Sequence, residues 1–204
     1  MVLFPIFLKL AGRRCLVVGA GAEGEAKTAS LLLAGAEVRV VAPQARAKVR
    51  AWSRSGKVEW KRRRFRPEDL EGMFLVVAAT SSSRLHQRIH REARRRGVLC
   101  NAVDDPPRCD FYFPAVVRRG ALQIAISTSG QSPALAQRLR KQLERQFGPE
   151  YEVWVEHLGK ARKKALAETA NFENRRLRLH QQAGERAFET FARRRKGRHR
   201  RGRT

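Results

Sequence analysis

The segment from Cys15 to Lys27 reads Cys-Leu-Val-Val-Gly-Ala-Gly-Ala-Glu-Gly-Glu-Ala-Lys and passes from a short apolar run through three glycines into a helical pattern. Each glycine has a separate physical task in a turn of this kind. Gly19 makes the tight turn, Gly21 lets the backbone approach a pyrophosphate, and Gly24 allows the helix to pack closely on the strand. The free N–H groups and positive dipole end of the helix N-terminus then favour phosphate. The segment therefore predicts a dinucleotide-binding turn.

The flanking residues supply the β-α-β unit that such a turn requires. Residues 14–18 are apolar and β-branched, which predicts a strand leading into the turn. The helix that follows carries its apolar residues at three-to-four spacing and ends at Gly35, in the position of a C-cap. Residues 37–42 then read as a second strand, which Pro43 stops. With this context the glycine pattern is much more specific than it would be alone.

One residue that is usual in NAD-binding units is missing. Such units carry Asp or Glu at the end of the second strand, where it holds the ribose hydroxyls, but this chain has Ala42, Pro43 and Gln44. Arg39 and Arg46 lie near enough in sequence to suggest a contact to a 2′-phosphate, and hence NADP. In so basic a chain, their interpretation as solvated surface charges is favoured. The residues alone leave the choice between NAD and NADP open.

The chain continues with alternating strands and helices as far as residue 101. A strand is predicted at residues 58–61, and the near-continuous apolar run at 74–80 is typical of a strand buried on both faces of a parallel sheet. A helix follows, capped by the serines at 81–83 and ending at Gly97, and residues 98–101 form another strand. The alternation predicts an α/β fold with a Rossmann-like, doubly wound parallel sheet, whose ligands bind at the carboxyl ends of the strands.

The pattern changes in the second half of the chain. Two extended runs, at 111–118 and 121–128, predict a hairpin through Arg119-Gly120, and the chain turns helical from Ser132. We expect four segments along the chain: a nucleotide-binding Rossmann domain at 1–113, a small α+β unit at 114–147, a helical extension at 148–192, and a basic, disordered tail at 193–204.

The chain is strongly basic. Its 204 residues include 44 Lys or Arg and 19 Asp or Glu, which gives a formal net charge of +25. Eight of the basic residues lie from Arg193 onward, so the remainder holds 36 basic and 19 acidic residues and still carries +17. Such a surface favours an anionic partner: nucleic acid, phospholipid or a polycarboxylate. No aromatic interleaving accompanies the tail, so solvated charge is its favoured interpretation and nucleic acid is not the expected partner.

The cysteines and the apolar start of the chain bear on its location. Cys15, Cys100 and Cys109 are far apart, odd in number and form no C-x-x-C pair, which is typical of a protein in the reducing cytosol. Residues 1–10 are apolar, but Pro5 and Lys9 interrupt them and no small-residue cleavage site follows. No stretch approaches the ~20 apolar residues of a membrane span. We expect a cytoplasmic protein with no membrane partner.

Candidate catalytic carboxylates lie at the end of the last predicted strand. Residues 100–106 (Cys-Asn-Ala-Val-Asp-Asp-Pro) begin on a strand and end in a loop, at the edge where a cofactor crevice is expected. Asp104 or Asp105 beside a nicotinamide can act as a general base, but Asp-Asp-Pro is equally ordinary turn chemistry. The residues alone do not decide between these readings.

A pair of histidines has the spacing of metal ligands. His86 and His90 stand four residues apart on a predicted helix. No Glu lies between them in the position of a general base, and the helix is rich in Arg. We interpret both as surface histidines and predict no metal site.

Six blocks of sequence form a combination that is far more specific than any one of them. They are Pro5-Ile6-Phe7-Leu8-x-Leu10, Val18-Gly19-Ala20-Gly21 with Lys27 following, Ala78-Ala79-Thr80, Asn101-x-Val103-Asp104-x-Pro106, Phe111-x-x-Pro114, and Ser127-Thr128-Ser129-Gly130-Gln131-Ser132-Pro133-Ala134. In this order, and in register from Met1 to about Phe147, they closely resemble precorrin-2 dehydrogenase, the dehydrogenase and ferrochelatase module of siroheme synthases.

The resemblance implies a homodimeric oxidoreductase that oxidises precorrin-2 to sirohydrochlorin with NAD, in siroheme or cobalamin biosynthesis. Some members of the family also insert ferrous iron to give siroheme, so iron is a second substrate to consider. The resemblance makes the unit at 114–147 the dimerisation unit. Chelatase activity varies within the family, and the methyltransferase domain fused in some siroheme synthases is not found in this sequence.

The resemblance also implies roles for individual residues. The NAD-binding residues are Gly19, Gly21, Ala22, Glu23 and Gly24 in the turn, with Pro43 and Gln44 after the second strand. Backbone contacts to the ribose at these positions explain the missing acid. Asp104 matches the family's essential carboxylate, and it can accept protons in both the oxidation and the chelation. Asn101, Thr128 and Ser132 are the expected substrate-binding residues near the tetrapyrrole cleft.

The tetrapyrrole is a polycarboxylate, which a cationic cleft attracts by steering and by direct pairing. The candidate cations are Arg118, Arg119, Arg138 and Arg140, although for any single one of them a solvated surface charge is the favoured interpretation. The alternative hypothesis is a protein that senses NAD and binds nucleic acid through the basic residues from Arg193 to Arg203.

Overall fold

Five parallel strands form the sheet of the N-terminal half. They are β1 (Arg14–Val18), β2 (Glu37–Val41), β3 (Val58–Lys61), β4 (Leu75–Ala78) and β5 (Leu99–Ala102), in the spatial order β3-β2-β1-β4-β5. All neighbouring pairs are parallel. The computed structural model describes residues 2–168 and 171–201, with side chains as far as residue 193. The chain divides into two compact units, Met1–Phe113 and Pro114–Thr204.

Helices cover both faces of the sheet because successive side chains on a strand point to opposite faces. They are α1 (Ala22–Leu33), α2 (Ala47–Arg54) and α3 (Ser83–Arg95). On one face Val17 packs in a cluster that includes Leu31 of α1 and Val49 of α2. On the other, Leu16 packs in a cluster that includes Ile89 of α3. This is the doubly wound α/β fold predicted from the sequence, with the strand order of a Rossmann-type sheet.

The order reverses at β1, which lies between β2 and β4. In an open parallel sheet a ligand crevice forms at such a switch point, outside the carboxyl ends of the strands. The segments that leave β1, β4 and β5 are held together there by backbone hydrogen bonds. Ala79 N–H donates to the Val18 carbonyl at 2.8 Å, and Val103 N–H donates to the Ala78 carbonyl at 3.0 Å.

Some elements differ from the sequence-based expectation. The predicted strand at 74–80 narrows to Leu75–Ala78, and the one at 98–101 shifts to Leu99–Ala102. Helix α2 was not predicted. It is eight residues long and buries only Val49, so it shows too little apolar periodicity to be recognised.

The second unit begins with an antiparallel hairpin. Its strands, β6 (Ala115–Arg119) and β7 (Leu122–Ile126), are joined through Gly120 at a φ of 56°. Four helices follow: α4 (Pro133–Gln146), α5 (Glu150–Glu168), α6 (Phe172–Gln182) and α7 (Glu185–Arg201). Trp154 of α5 is buried against the rings of Phe188 and Phe191 of α7, with centroid distances of 5.8 and 4.9 Å.

The last helix reaches into the basic C-terminal segment. The structure continues α7 to Arg201, and the disordered tail expected from residue 193 stays a prediction. Arginine is a good helix former, and the aromatic contacts to Trp154 lie earlier on the same helix, so the helix extends into the basic run. Residues 202–204 lie outside the described part of the chain. None of the described helices is both long and apolar enough to cross a bilayer. The dimerisation role expected of residues 114–147 stays a prediction.

Candidate active site

The turn between β1 and α1 needs two of its glycines for the fold itself. Gly19 has a φ of 102°, and a Cβ atom at this position would overlap the carbonyl of Ala79. A Cβ at Gly24 would overlap the carbonyl of Gly19. The start of α1 therefore packs directly against the glycine loop that follows β1. The tight turn and the close packing of helix on strand therefore have the steric causes expected from the sequence.

The third glycine differs from the other two. Gly21 is the N-cap of α1, its φ of −73° is open to any residue, and a Cβ there would meet no protein atom within 4 Å. No side chain caps this end of the helix, so the N–H groups of its first turn have no side-chain acceptor. A helix terminus with free donors and open space in front of it is suited to a phosphate. The turn thus fits a dinucleotide, and Ala22 and Glu23 lie exposed at its rim.

The exit of β2 lies beside this turn. Gly19 N–H donates to the Val41 carbonyl at 2.9 Å, and Arg46 N–H donates to the Ala20 carbonyl at 3.1 Å. Pro43 and Gln44 are exposed between these two points. They line a cavity of about 340 Å³ together with Ala45, Arg50, Trp60 and Arg62. The structure therefore brings the predicted cofactor residues of β1 and β2 together along one edge of the sheet.

Asp104 leaves the same edge, from the end of β5. Its backbone adopts the left-handed conformation, with a φ of 58°, and its side chain is exposed. Among the described residues no donor or cation pairs with its carboxylate. Asp and Asn tolerate this conformation better than most residues. The carboxylate is therefore presented to solvent at the edge where a cofactor crevice is expected.

Asp105 has a different environment from its neighbour. Its carboxylate accepts two hydrogen bonds from Arg108, at 2.7 and 2.8 Å, and lies 3.5 Å from His86 Nδ1. Its side chain is only 13% exposed. Asp105 therefore builds the turn, whereas the role of Asp104 as a general base stays a prediction.

His86 corrects a prediction, because it is not a surface histidine. It is 4% exposed and lies on the face of α3 that also buries Ile89 and Ala93. That face packs on the sheet, so the imidazole lies beneath the loop of Asp105. His90 remains half-buried on the same helix. No group of three potential metal ligands occurs within residues 2–168 and 171–193.

Asn101 holds the base of the loop that carries Asp104. It is buried, and its amide donates to the Phe111 carbonyl at 2.8 Å, across the base of the segment that carries Asp104. The Asp110 carboxylate accepts from the Cys100 N–H at 2.8 Å in the same place. These contacts show that Asn101 closes the base of the loop, and the substrate-binding role expected of it from the sequence stays a prediction.

The cysteines near the loop are not activated. Burial raises the pKa of Cys100 to about 12, and burial also raises the pKa of Cys109. The Cys109 thiol donates to the Ala102 carbonyl at 3.1 Å. Both thiols therefore act as small packing groups.

Thr128 and Ser132 lie in the second unit, in the loop before α4. Thr128 Oγ1 accepts from the Ser132 N–H at 3.1 Å, and Ser132 Oγ accepts from the Leu135 N–H at 3.2 Å as the helix N-cap. Each hydroxyl keeps its own proton available for a further acceptor. The loop is thus preshaped by its own hydroxyl groups.

The candidate arginines of the second unit separate into two groups. Arg119 donates to the carbonyls of Phe147 and Glu144, at 2.8 and 2.9 Å, and Arg140 pairs with the Glu144 carboxylate. These two guanidinium groups support the unit. Arg118 and Arg138 are exposed, and their guanidinium groups make no hydrogen bond or ion pair with the described part of the chain.

Two comparisons of sequence place the chain among known proteins. A family model described as putative NAD(P)-binding matches residues 6–115. The chain belongs to this NAD(P)-binding family. A second model, described as sirohaem biosynthesis protein central, matches residues 119–146.

Curated relatives agree with these matches. Siroheme synthase 1 of Serratia proteamaculans is 45% identical over 140 residues, which is 69% of this chain and 29% of that protein. The siroheme synthase of Photorhabdus laumondii is 37% identical over 172 residues, 84% of this chain and 37% of that protein. The chain therefore spans less than two fifths of the length of these relatives.

A solved structure matches along nearly the whole chain. SirC, a precorrin-2 dehydrogenase, superimposes with a TM-score of 0.80 at 25% identity and covers 99% of this chain and 100% of its own. The likeness extends through both units, including the helices that follow residue 147. The cavity residues Arg50, Trp60 and Arg62 were not predicted from the sequence, since only the packing of α2 and the pairing of β2 with β3 bring them together.

Proposed function

We propose that this chain oxidises precorrin-2 to sirohydrochlorin with NAD, in siroheme or cobalamin biosynthesis. The observation that carries the proposal is the free carboxylate of Asp104, held in a left-handed turn at the edge of the sheet that also presents the glycine turn. The similarity to siroheme synthases and to a precorrin-2 dehydrogenase supports the same reaction. A basic surface suits a substrate that carries many carboxylates.

Different residues of the N-terminal unit have different roles in the proposed dehydrogenation. Removing two hydrogens from the macrocycle releases one hydride and one proton, and bound NAD supplies the hydride acceptor. The first turn of α1 holds the pyrophosphate through its N–H groups, with Gly21 leaving room for it. Pro43 and Gln44, which line the cavity at the end of β2, would hold the adenosine ribose through their backbone. Asp104 accepts the proton from carbon or nitrogen of the substrate and passes it to solvent.

The second unit contributes to substrate binding in this proposal. Thr128 and Ser132 offer hydroxyl protons, and Arg118 and Arg138 offer guanidinium groups that no carboxylate occupies in the described residues. Arg pairs with carboxylates through strong, charge-assisted hydrogen bonds. The chain acts as a homodimer through residues 114–147, and it acts in the cytoplasm, where its three free cysteines stay reduced.

Ferrous iron is a second substrate in the proposal. Inserting iron into sirohydrochlorin displaces two pyrrole N–H protons, and the same carboxylate that serves the oxidation can accept them. Asp104 is suited to both steps because it is exposed and carries no internal partner.

The experiment measures NADH formation from precorrin-2 and NAD under anaerobic conditions. Asp104→Asn keeps the size of the side chain and tolerates the left-handed backbone, but it cannot accept a proton. We expect NADH formation to fall at least about 100-fold with the melting temperature unchanged. Glu71→Gln is the matched control, because Glu71 is an exposed acid of the same unit, and it should retain the rate of the unsubstituted chain.

Two outcomes would overturn the proposal. If the unsubstituted chain forms no NADH, the reaction is wrong. If Asp104→Asn retains full activity, another group accepts the proton. Adding Fe²⁺ after the oxidation is complete, and following the absorbance of metallated product separately, decides whether this chain also inserts iron.

A further inference from the structure

His86 is a buried imidazole to which the proposed reaction assigns no role. It is 4% exposed, and its Nδ1 lies 3.5 Å from the Asp105 carboxylate. Its Nε2 is buried and has no hydrogen-bond partner within residues 2–168 and 171–193. Because a buried polar group without a partner costs free energy, packing alone does not account for a histidine at this position. The contact with Asp105 is what an apolar side chain would not supply.

Asp105 anchors the chain immediately after Asp104. Its N–H donates to the Ala102 carbonyl at 3.2 Å, and its carbonyl accepts from the Arg108 N–H at 2.9 Å. Its carboxylate lies between the Arg108 guanidinium, at 2.7 Å, and the imidazole of His86. A carboxylate that is only 13% exposed has lost most of its water and needs such partners. Asp105 is thus fixed through both its backbone and its side chain.

The residue before Asp104 is fixed as well. Val103 N–H donates to the Ala78 carbonyl of β4 at 3.0 Å. Asp104 itself has a φ of 58°, a left-handed conformation that is uncommon outside glycine and persists only where the surrounding structure holds it. Its exposed carboxylate makes no hydrogen bond or ion pair with the described residues. The direction of that carboxylate therefore depends on the anchors on either side.

The two anchors connect Asp104 to different parts of the N-terminal unit. Val103 is bound to the sheet, whereas Asp105 is bound to α3, because His86 lies in the first turn of that helix. The Ser82 side chain caps the same turn, and Ile89 of α3 is buried in the core against the sheet. A side chain on a packed helix fixes a loop more precisely than a side chain of the loop itself.

We propose that His86 is a positioning residue of the dehydrogenation, which holds the Asp104 carboxylate in place through Asp105. The inference rests on the role proposed for Asp104 and adds a buried residue that does not reach the substrate. A misdirected base slows proton transfer while the groups that bind substrate stay in place. His86 therefore contributes to kcat and leaves KM unchanged.

The test compares two substitutions of His86 by anaerobic NADH formation from precorrin-2 and NAD. His86→Asn puts an amide nitrogen in the position of Nδ1 and keeps the contact with Asp105, but it leaves a gap. His86→Leu fills the space and removes the contact. We expect kcat to fall about tenfold in His86→Leu and less than about threefold in His86→Asn, with KM within about twofold in both. A packing role predicts the opposite order, because leucine fills the space better.

A double variant tests whether His86 acts through Asp105. In the background of Asp105→Ala the contact is already lost, so His86→Leu should lower kcat by less than about twofold further. Alkylation of Cys109, in the same loop, measures opening of the loop without any substrate, and it should accelerate about tenfold in His86→Leu. His90→Leu is the matched control, since His90 is half-buried one turn further along α3. It should change neither kcat nor the alkylation rate.

Three results would each overturn the inference. They are a higher kcat in His86→Leu than in His86→Asn, independent losses in the double variant, and an unchanged alkylation rate in His86→Leu. The third applies whether or not the chain is active. If the unsubstituted chain forms no NADH, the proposed function fails instead, and the alkylation rates still show whether His86 holds the loop.

Discussion

The exits of β1 and β5 lie at the same edge of one sheet but are built by different means. The loop after β1 is shaped by close backbone contacts, because Gly19 and Gly24 allow an approach that any Cβ would block. The loop after β5 is instead held by side-chain contacts. Asp105 is tied to Arg108 and His86, and Asn101 closes the base of the loop.

The difference shows which substitutions should destabilise each half of the proposed site. A backbone-built turn fails when a side chain is added, and a side-chain-built loop fails when a partner is removed. Both halves leave one element unengaged in the described residues, the open space at Gly21 and the carboxylate of Asp104. These are the elements that the proposed chemistry uses.

The largest expected effect is at Gly19. Gly19→Ala combines a left-handed φ of 102° with overlap of the Ala79 carbonyl, so we expect the N-terminal unit to lose about 4 kcal/mol of stability. Hydrogen exchange of the β1 and β4 amides measures it. Gly56→Ala is the control, since Gly56 also has a positive φ but open space around it, and it should cost about 1 kcal/mol. Equal losses in the two variants would refute the steric account.

The second effect concerns the loop at β5. Asp105→Asn leaves Arg108 and the buried His86 without their carboxylate. We expect the free energy of opening the loop to fall by about 2 kcal/mol. Cys109 reports this opening, because its half-buried thiol donates to the Ala102 carbonyl. Its alkylation should accelerate about 30-fold. Asp104→Asn should leave that rate unchanged, and the same acceleration in both variants would show that the two aspartates do not have separate roles.

The contrast between the two exits also explains what the sequence could and could not predict. The glycine turn was predictable because three glycines between a strand and a helix form a pattern within one short segment, although the atom that Gly19 must avoid belongs to the distant Ala79. Strands β1 and β3 were placed at their observed bounds. The loop after β5 was located and the resemblance pointed to Asp104, but the contacts that tie Asp105 to the turn were not predicted, because His86 comes from a different helix. A partner brought by tertiary packing leaves no local signal.

The cavity at β2 and β3 likewise depends on tertiary contacts that the sequence does not reveal. Arg39 and Arg46 are the arginines nearest the end of β2 in sequence, yet folding places each beside an acid. Arg50 and Arg62 come to the cavity through α2 and β3, and their neighbours in sequence are equally basic. Charge along the chain therefore did not separate a paired arginine from an unpaired one.

The smallest effect on stability should be at Gly21, where binding alone is expected to change. Gly21→Ala meets no protein atom within 4 Å and needs no unusual φ, so we expect a change below about 0.5 kcal/mol in hydrogen exchange of α1. The new methyl group occupies the space proposed for the pyrophosphate, so the Kd for NAD should rise about tenfold by calorimetry. An unchanged Kd would place the pyrophosphate elsewhere. A loss of stability equal to that of Gly19→Ala would instead mean that all three glycines serve the fold, and that none of them is reserved for a ligand.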